Sequence, residues 1–183
     1  MIVDISLDTV RLKIVWLLLP VLLYLSTPSF FSLFCGIGVG LVGLGIRFWA
    51  AGFINKFSEL ATLGPYAHTR NPLYLGSLLI GLSFTVASGQ VSIVLVCLAF
   101  FWLVYIPKAR REAIELEKKF GDRYRTYANS VPLVVPRFAA YRAPFVGRSS
   151  ERFSLRRYLA NREWEAFLGT SLVFILLLLK VLS

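Results

Sequence analysis

Two separated groups of residues carry side chains able to hold a small charged ligand. The first lies in GPYAHTRNPLYLG, positions 64–76, where Arg70, Asn71, Pro72 and Tyr74 come directly before an apolar run. Asn71 is a good helix N-cap and Pro72 suits the first helical position, so the stretch predicts a sharp helix start. Helix N-termini present unpaired N–H groups and a partial positive charge, and with Arg70 beside them they could hold a carboxylate or a phosphate. Tyr74, at the third helical position, can point back to the same place. The plainer alternative is a capped helix with Tyr74 and Arg70 as interface anchors, and this stretch alone leaves both open.

The second group lies in KARREAIELEKKFGDRYRTYANSVPLVVPRF, positions 108–138. Ala113, Leu116, Phe120, Tyr124 and Tyr127 recur at spacings of three and four, an apolar seam on an otherwise charged segment. Gly121 followed by Asp122 reads as a helix stop and a new N-cap, so two short helices are expected. The acids Glu112, Glu115 and Glu117 suit surface pairs such as Glu115 with Lys119. Pro132 and Pro136 then end the segment in extended chain, and it is expected to fold back over the mouth of whatever precedes it.

What precedes it is membrane. The chain has 183 residues, 57% hydrophobic and only 16% charged, against about a quarter charged in a soluble domain. This composition excludes a separate soluble enzyme domain, so any site must be built from helix ends and loops. Five apolar runs are candidate spans: residues 10–25, 30–54, 72–87, 91–106 and 164–182. The expected fold is all-α, a polytopic membrane helix bundle of about five transmembrane helices with a cytoplasmic helical cap over residues 108–137, in a single domain. The short uncharged turns at 26–29 and 88–90 make antiparallel hairpins, whereas fourteen of the twenty Lys and Arg lie in residues 108–162. The positive-inside rule then places the N-terminus and the basic segment in the cytoplasm and the C-terminus on the opposite side, the membrane being the inner one if the source is bacterial. The first run could be mistaken for a secretory signal, but no small-x-small cleavage site follows it, and it is read as a membrane helix.

A net charge of +10 suggests contact with anionic lipid headgroups; the basic residues adjoin membrane helices and form no groove with stacking aromatics, so no nucleic acid is expected. Cys35 and Cys97 sit in apolar helices as packing residues, and no metal-ligand spacing exists. The string Gly38-Val39-Gly40-Leu41-Val42-Gly43 imitates a dinucleotide-binding turn, yet it follows no strand; Gly36 and Gly40 suit close helix approach in lipid. Arg47, inside the second run, reads either as a snorkelling cation or as a charge facing a site. Residues 138–163 read as a basic amphipathic helix at the interface feeding the last span, with anchoring as the simplest role and an anionic-substrate gate as the sharper one.

The two motif groups, in this order and flanking a helical hairpin, resemble the isoprenylcysteine carboxyl methyltransferase and phospholipid methyltransferase superfamily of membrane enzymes. The resemblance covers roughly residues 40–137. Its first motif is matched by Gly64-Pro65-Tyr66 and Arg70-Asn71-Pro72-Leu73-Tyr74-Leu75-Gly76, its second by Glu112, Leu116, Phe120-Gly121, Tyr124, Tyr127 and Val131-Pro132. Asn71 stands where the family has histidine and Ala113 where it has a second glutamate; His68 is nearby but out of register. The resemblance implies an S-adenosyl-L-methionine-dependent methyltransferase acting at the cytoplasmic face. The cofactor would lie among Tyr66, Arg70, Asn71, Pro72, Tyr74, Gly76, Glu112, Leu116, Tyr124 and Tyr127, with Arg47 and Glu112 the candidate catalytic residues. Arg70 would take the cofactor's carboxylate, Glu112 its ammonium or ribose, and Tyr74, Tyr124 and Tyr127 the adenine and sulfonium. The acceptor would be a lipid or lipid-modified molecule entering from the bilayer. An isoprenoid-linked carboxylate held by Arg47, a phospholipid amine and a small hydrophobic thiol or acid all remain open. So does a non-enzymatic protein that binds anionic lipid or a partner through its basic surface.

Overall fold

A computed structural model of the chain describes residues 20–54, 59–142 and 152–183, and among these there is no strand. Helix α1, described over residues 20–25, is followed by α2 (Phe30–Ala51), a 3-10 turn (Gly64–Ala67), α3 (Pro72–Ala87), α4 (Val91–Phe100), a π-helical turn (Phe101–Tyr105), α5 (Ile106–Phe120), α6 (Asp122–Ser130), α7 (Leu155–Ala160) and α8 (Trp164–Leu182). Among the described residues, three runs are long and apolar enough to cross a membrane: Phe30–Ala51, Ser92–Phe120 and Trp164–Leu182. Helix α3, at 16 residues, is about 24 Å long, somewhat short of a ~30 Å hydrocarbon core. The expected first span falls outside the described residues except at 20–25, as do Lys56 and positions 143–151 of the basic segment.

Helices α2 and α3 form the tightest pair because glycine lets their backbones meet. A Cβ at Gly36 would stand 2.6 Å from Ala87 Cβ and 2.7 Å from the Ser83 carbonyl, and one at Gly43 would stand 2.9 Å from the Gly76 carbonyl. In lipid, where apolar surface gains nothing by leaving solvent, such close packing is what associates helices. The glycine string that imitates a nucleotide turn is therefore helix interface. Helix α8 closes the group through Val173 and Leu177, packed with Leu33 and Ala87. Buried hydroxyls satisfy themselves on their own helix, as Ser83 does on the Ile80 carbonyl at 2.7 Å and Thr85 on Leu82 at 2.8 Å.

The two uncharged turns meet at one end of the bundle, where Thr27 N–H donates to the Ser88 carbonyl at 2.9 Å and the Gln90 amide reaches Thr27 Oγ1 at 3.1 Å. Lys180 of α8 donates there to the carbonyls of Leu23 and Tyr24, supplying partners at the end of α1. At the opposite end α2 stops at Ala51, short of residue 54, because residues 152–161 cover its last turn. Asn161 Nδ2 donates to the Ala51 carbonyl at 3.1 Å and Ser154 N–H to the Gly52 carbonyl at 3.0 Å. Of the basic amphipathic segment, the described helical part is the six-residue α7.

The fourth span does not end at residue 106. Helices α4 and α5 are one rod joined by the π turn, and the reason is Pro107. Proline removes a backbone donor and crowds the carbonyl one turn before it, and a widened turn relieves both. Helix α5 thereby carries its charged residues straight out of the apolar region. At Gly121 (φ 56°) the chain breaks as expected, its N–H returning to the Glu117 carbonyl at 2.8 Å, and α6 folds back.

Candidate active site

Residues 131–141 lie along residues 66–71 and tie the two motif groups together. Arg70 N–H donates to the Pro132 carbonyl, Arg137 N–H to the His68 carbonyl and Tyr141 N–H to the Ala67 carbonyl, each at 2.9 Å. Buried Thr69 donates from Oγ1 to the Val134 carbonyl at 2.9 Å. Asn71 starts α3 as expected, but its side chain does not cap the helix. It turns to the strap and donates to the Leu133 carbonyl at 3.0 Å, so position 71 fastens the cap. His68 does similar work with Nδ1 on the Arg137 carbonyl at 2.9 Å, which requires the proton on that nitrogen.

With residues 131–141 fastened there as a strap, polar groups of the two motifs meet. Tyr74 Oη donates to Glu112 Oε1 at 2.6 Å. Arg70 Nη1 donates to Tyr124 Oη at 3.2 Å, while its Nε is buried with no hydrogen-bond partner among the described residues. A buried guanidinium N–H without an acceptor is costly, and it marks a place where an anion would fit. Leu116, one turn beyond Glu112, is exposed. Tyr105, which the sequence reading passed over, stands edge-on to Tyr74 at 5.4 Å and stacks on Phe101 at 5.2 Å. Its only sequence signal was its place seven residues before Glu112, two helical turns along the same face.

Tyr124 and Tyr127 are placed otherwise than as a wall for a flat ligand. They are 3% and 2% exposed, packed on each other, Val131 and Tyr141, and Tyr127 Oη donates to the Tyr66 carbonyl at 2.7 Å. They therefore position Arg70 and the strap, because the apolar seam of α5 and α6 closes on itself. Gly76 belongs to the α2–α3 interface, where a Cβ would meet Arg47 Cγ at 2.5 Å. Pro72, at the first position of α3, is buried.

Arg47 does not snorkel. Its Nε and Nη2 both donate to Glu163 Oε2, at 2.9 and 2.5 Å, and its Nη1 donates to Ser77 Oγ at 2.5 Å and the Leu73 carbonyl at 3.3 Å. Glu163 comes from the corner between α7 and α8, and nothing local in the sequence announced it. Tyr66, in the 3-10 turn, is buried. Burial pushes its phenol well above the ordinary tyrosine value, and the charges of Glu163 and Glu112 add to that while Arg47 opposes it. Burial does the same to Tyr127, helped by Tyr124 and opposed by Arg70.

These two phenols give the cap a pH dependence. A folded-state pKa above the unfolded value of about 10 means stability that is full below that pH and is lost as pH rises through the folded value. Thermal unfolding in detergent should therefore weaken steadily above about pH 10. Tyr127→Phe should flatten that slope and cost about 1 kcal/mol at neutral pH for the lost bond to the Tyr66 carbonyl.

The sequence of these elements agrees with a known one: a family model described as phospholipid methyltransferase matches residues 30–123, half of the chain. The chain belongs to the phospholipid methyltransferase family. It is an integral membrane protein, and the family region holds α2 to α5, the 3-10 turn and the start of α6. Among similar curated proteins are the cobalt-zinc-cadmium resistance protein CzcN of Cupriavidus metallidurans, 33% identical over 142 residues, and the nickel-cobalt-cadmium resistance protein NccN of Alcaligenes xylosoxydans xylosoxydans, 29% identical over 144 residues. Each alignment covers 75% of this chain and 62% or 63% of the relative, so the chain spans about three-fifths of their length. No solved structure matches. Glu163, α7 and α8 lie beyond the region matched to the phospholipid methyltransferase family.

Proposed function

We propose that the protein is a membrane methyltransferase that uses S-adenosyl-L-methionine and a lipid or lipid-modified acceptor, with carboxylate O-methylation the favoured reaction. The observation that carries this reading is the hydrogen bond from Tyr74 to Glu112, which joins the two family motifs; the Arg70 Nε, without a hydrogen-bond partner among the described residues, adds support. The residues fit the cofactor's chemistry. Arg70 Nε offers a donor for its carboxylate, Glu112 an anion for its ammonium, and exposed Leu116 apolar surface for adenine. Tyr74 and Tyr105 supply rings near Glu112, while Tyr124 and Asn71 hold Arg70 and the strap in place.

When bound, S-adenosylmethionine supplies an electrophilic methyl on sulfur: the acceptor oxygen forms the new O–CH3 bond, the S–CH3 pair stays on sulfur, and no proton has to move. The protein's part is alignment and exclusion of water, to which the buried Tyr66 ring contributes. Arg47 orients the acceptor's anionic group. The family's name also supports an amine headgroup as acceptor, in which case Glu112, through Tyr74, is placed to receive a proton. The basic residues of α5 and of the corner before α8 support a cytoplasmic location for this end.

The test is calorimetric titration of S-adenosylhomocysteine into the detergent-purified protein, followed by transfer of labelled methyl from S-adenosylmethionine into membrane lipid extract. Saturable binding and a labelled, base-labile product are expected. A folded protein that binds no cofactor overturns the reading, and a base-stable labelled amine lipid moves the acceptor to nitrogen.

A further inference from the structure

Residues 131–141 have two unlike sides. Inward, Val131 and Val134 are buried and Tyr141 packs on Tyr127, while the carbonyls of Pro132, Leu133 and Val134 accept from Arg70, Asn71 and Thr69. Outward, Val135 is 75% exposed and Phe138 wholly so, and Pro136, Ala139 and Ala140 are exposed with them. Arg137 is the one charge in that run, and its Nη1 is turned back onto the Ser130 carbonyl at 2.6 Å. The strap thus presents an apolar tip at 135–140. Contiguous exposed apolar surface of this kind, bordered by charge, marks a place that meets another surface.

The height of the tip identifies that surface. The strap is bonded to residues 67–71, directly before α3, and α3 is about 24 Å long against a hydrocarbon core of ~30 Å. A helix that short draws its flanking segments toward the hydrocarbon, at the polar turn 88–90 and at the strap alike. Trp49 gives a second mark of height. It is 44% exposed near the end of α2, its ring lies 6.5 Å from that of His68, and His68 holds the Arg137 carbonyl. Exposed tryptophans at the ends of membrane helices sit at headgroup level. The charge agrees, because residues 123–150 hold five arginines and no acid, and Arg142, just past the strap, is exposed.

We propose that the strap is a membrane-insertion element: Val135 and Phe138 enter the interfacial layer of the bilayer in which the helices stand, with Arg142 on the phosphates of anionic lipids. Lipid then anchors the outer side of the segment whose inner side holds Arg70 and Asn71, so the strap is fastened from both sides. Extended chain can lie at that depth because its inner carbonyls are already bonded to residues 69–71. Neither lipid contact nor strap closure depends on methyl transfer.

The experiment places a polarity-sensitive NBD label at Phe138→Cys, and at Asp122→Cys as the control, in the full chain with Cys35→Ala and Cys97→Ala. Asp122 stands at the break between α5 and α6 with its side chain 94% exposed. In nanodiscs of phosphatidylcholine with phosphatidylglycerol, the label at 138 should emit to the blue of that at 122. Lipid brominated high on its acyl chains should quench it several-fold more. Both differences should shrink in phosphatidylcholine alone, and equal signals there overturn the part given to Arg142. Hydrogen exchange in the same nanodiscs reads the fastening: Phe138→Asp should speed exchange of residues 131–141 by about 10-fold or more, with α2 and α3 unchanged. A label at 138 as aqueous as that at 122 overturns membrane insertion and leaves the tip to a soluble protein partner. Unchanged strap exchange in Phe138→Asp overturns the fastening.

Discussion

Arg70→Met should weaken S-adenosylhomocysteine binding by about 30- to 150-fold, the loss of one charge-assisted hydrogen bond worth ~2–3 kcal/mol. The wild-type guanidinium keeps a buried N–H without a partner among the described residues, so binding supplies an acceptor for it. Removing the group should leave unfolding temperature nearly unchanged, because the lost bond to Tyr124 Oη is long at 3.2 Å and an unsatisfied donor leaves with it. That separation of affinity from stability is the informative result. A variant that unfolds while retaining affinity would make Arg70 a strut for the cap instead. Glu112→Ala should remove binding more completely, since it takes away the ligand's anion and also releases Tyr74.

The second large effect is mechanical. Gly36→Val should cost about 3 kcal/mol or more and largely remove folded protein from the membrane fraction. Its Cβ would lie within 2.9 Å of Ala87 Cβ, the Ser83 carbonyl and the Ala87 nitrogen, two of them backbone atoms that cannot move aside. Gly38→Val is the control: nothing stands within 4 Å of its Cβ, and it should be close to neutral. Both are read as unfolding temperature in detergent and as yield of extracted protein. Equal effects would mean that helix propensity, and not the α2–α3 contact, decides the outcome.

The parts of the site legible from sequence were those in which local pattern and tertiary partner coincide. Arg70, Pro72 and Tyr74 mark a helix start whatever covers it, and Gly121-Asp122 breaks a helix by its own backbone preference. Tyr74 could be expected near Glu112 because each belongs to a motif and the hairpin between them is short. The partner of Arg47 had no such signal, since Glu163 lies 116 residues away on a corner whose conformation depends on α7 and α8 packing. Asn71 departs from expectation for a related reason: its propensity favours capping, but the Leu133 carbonyl competes for the same side chain and wins. Tyr124 and Tyr127 were correctly grouped on one seam, yet a seam does not say whether it closes on a ligand or on itself.

The π turn at Phe101–Tyr105 sets an angle as well as relieving Pro107. A π turn amounts to one inserted residue in an α-helix, and each residue advances the helix by about 100°. Everything beyond it, from Pro107 through Glu112 to Phe120, is therefore rotated relative to the membrane-embedded half of the same rod. Glu112 faces Tyr74 because of that azimuth. The length of the span between the Ser88–Gly89 turn and Pro107 is thus a phase as much as a thickness: losing one residue there would alter depth by ~1.5 Å and yet swing the acid a quarter-turn out of the site.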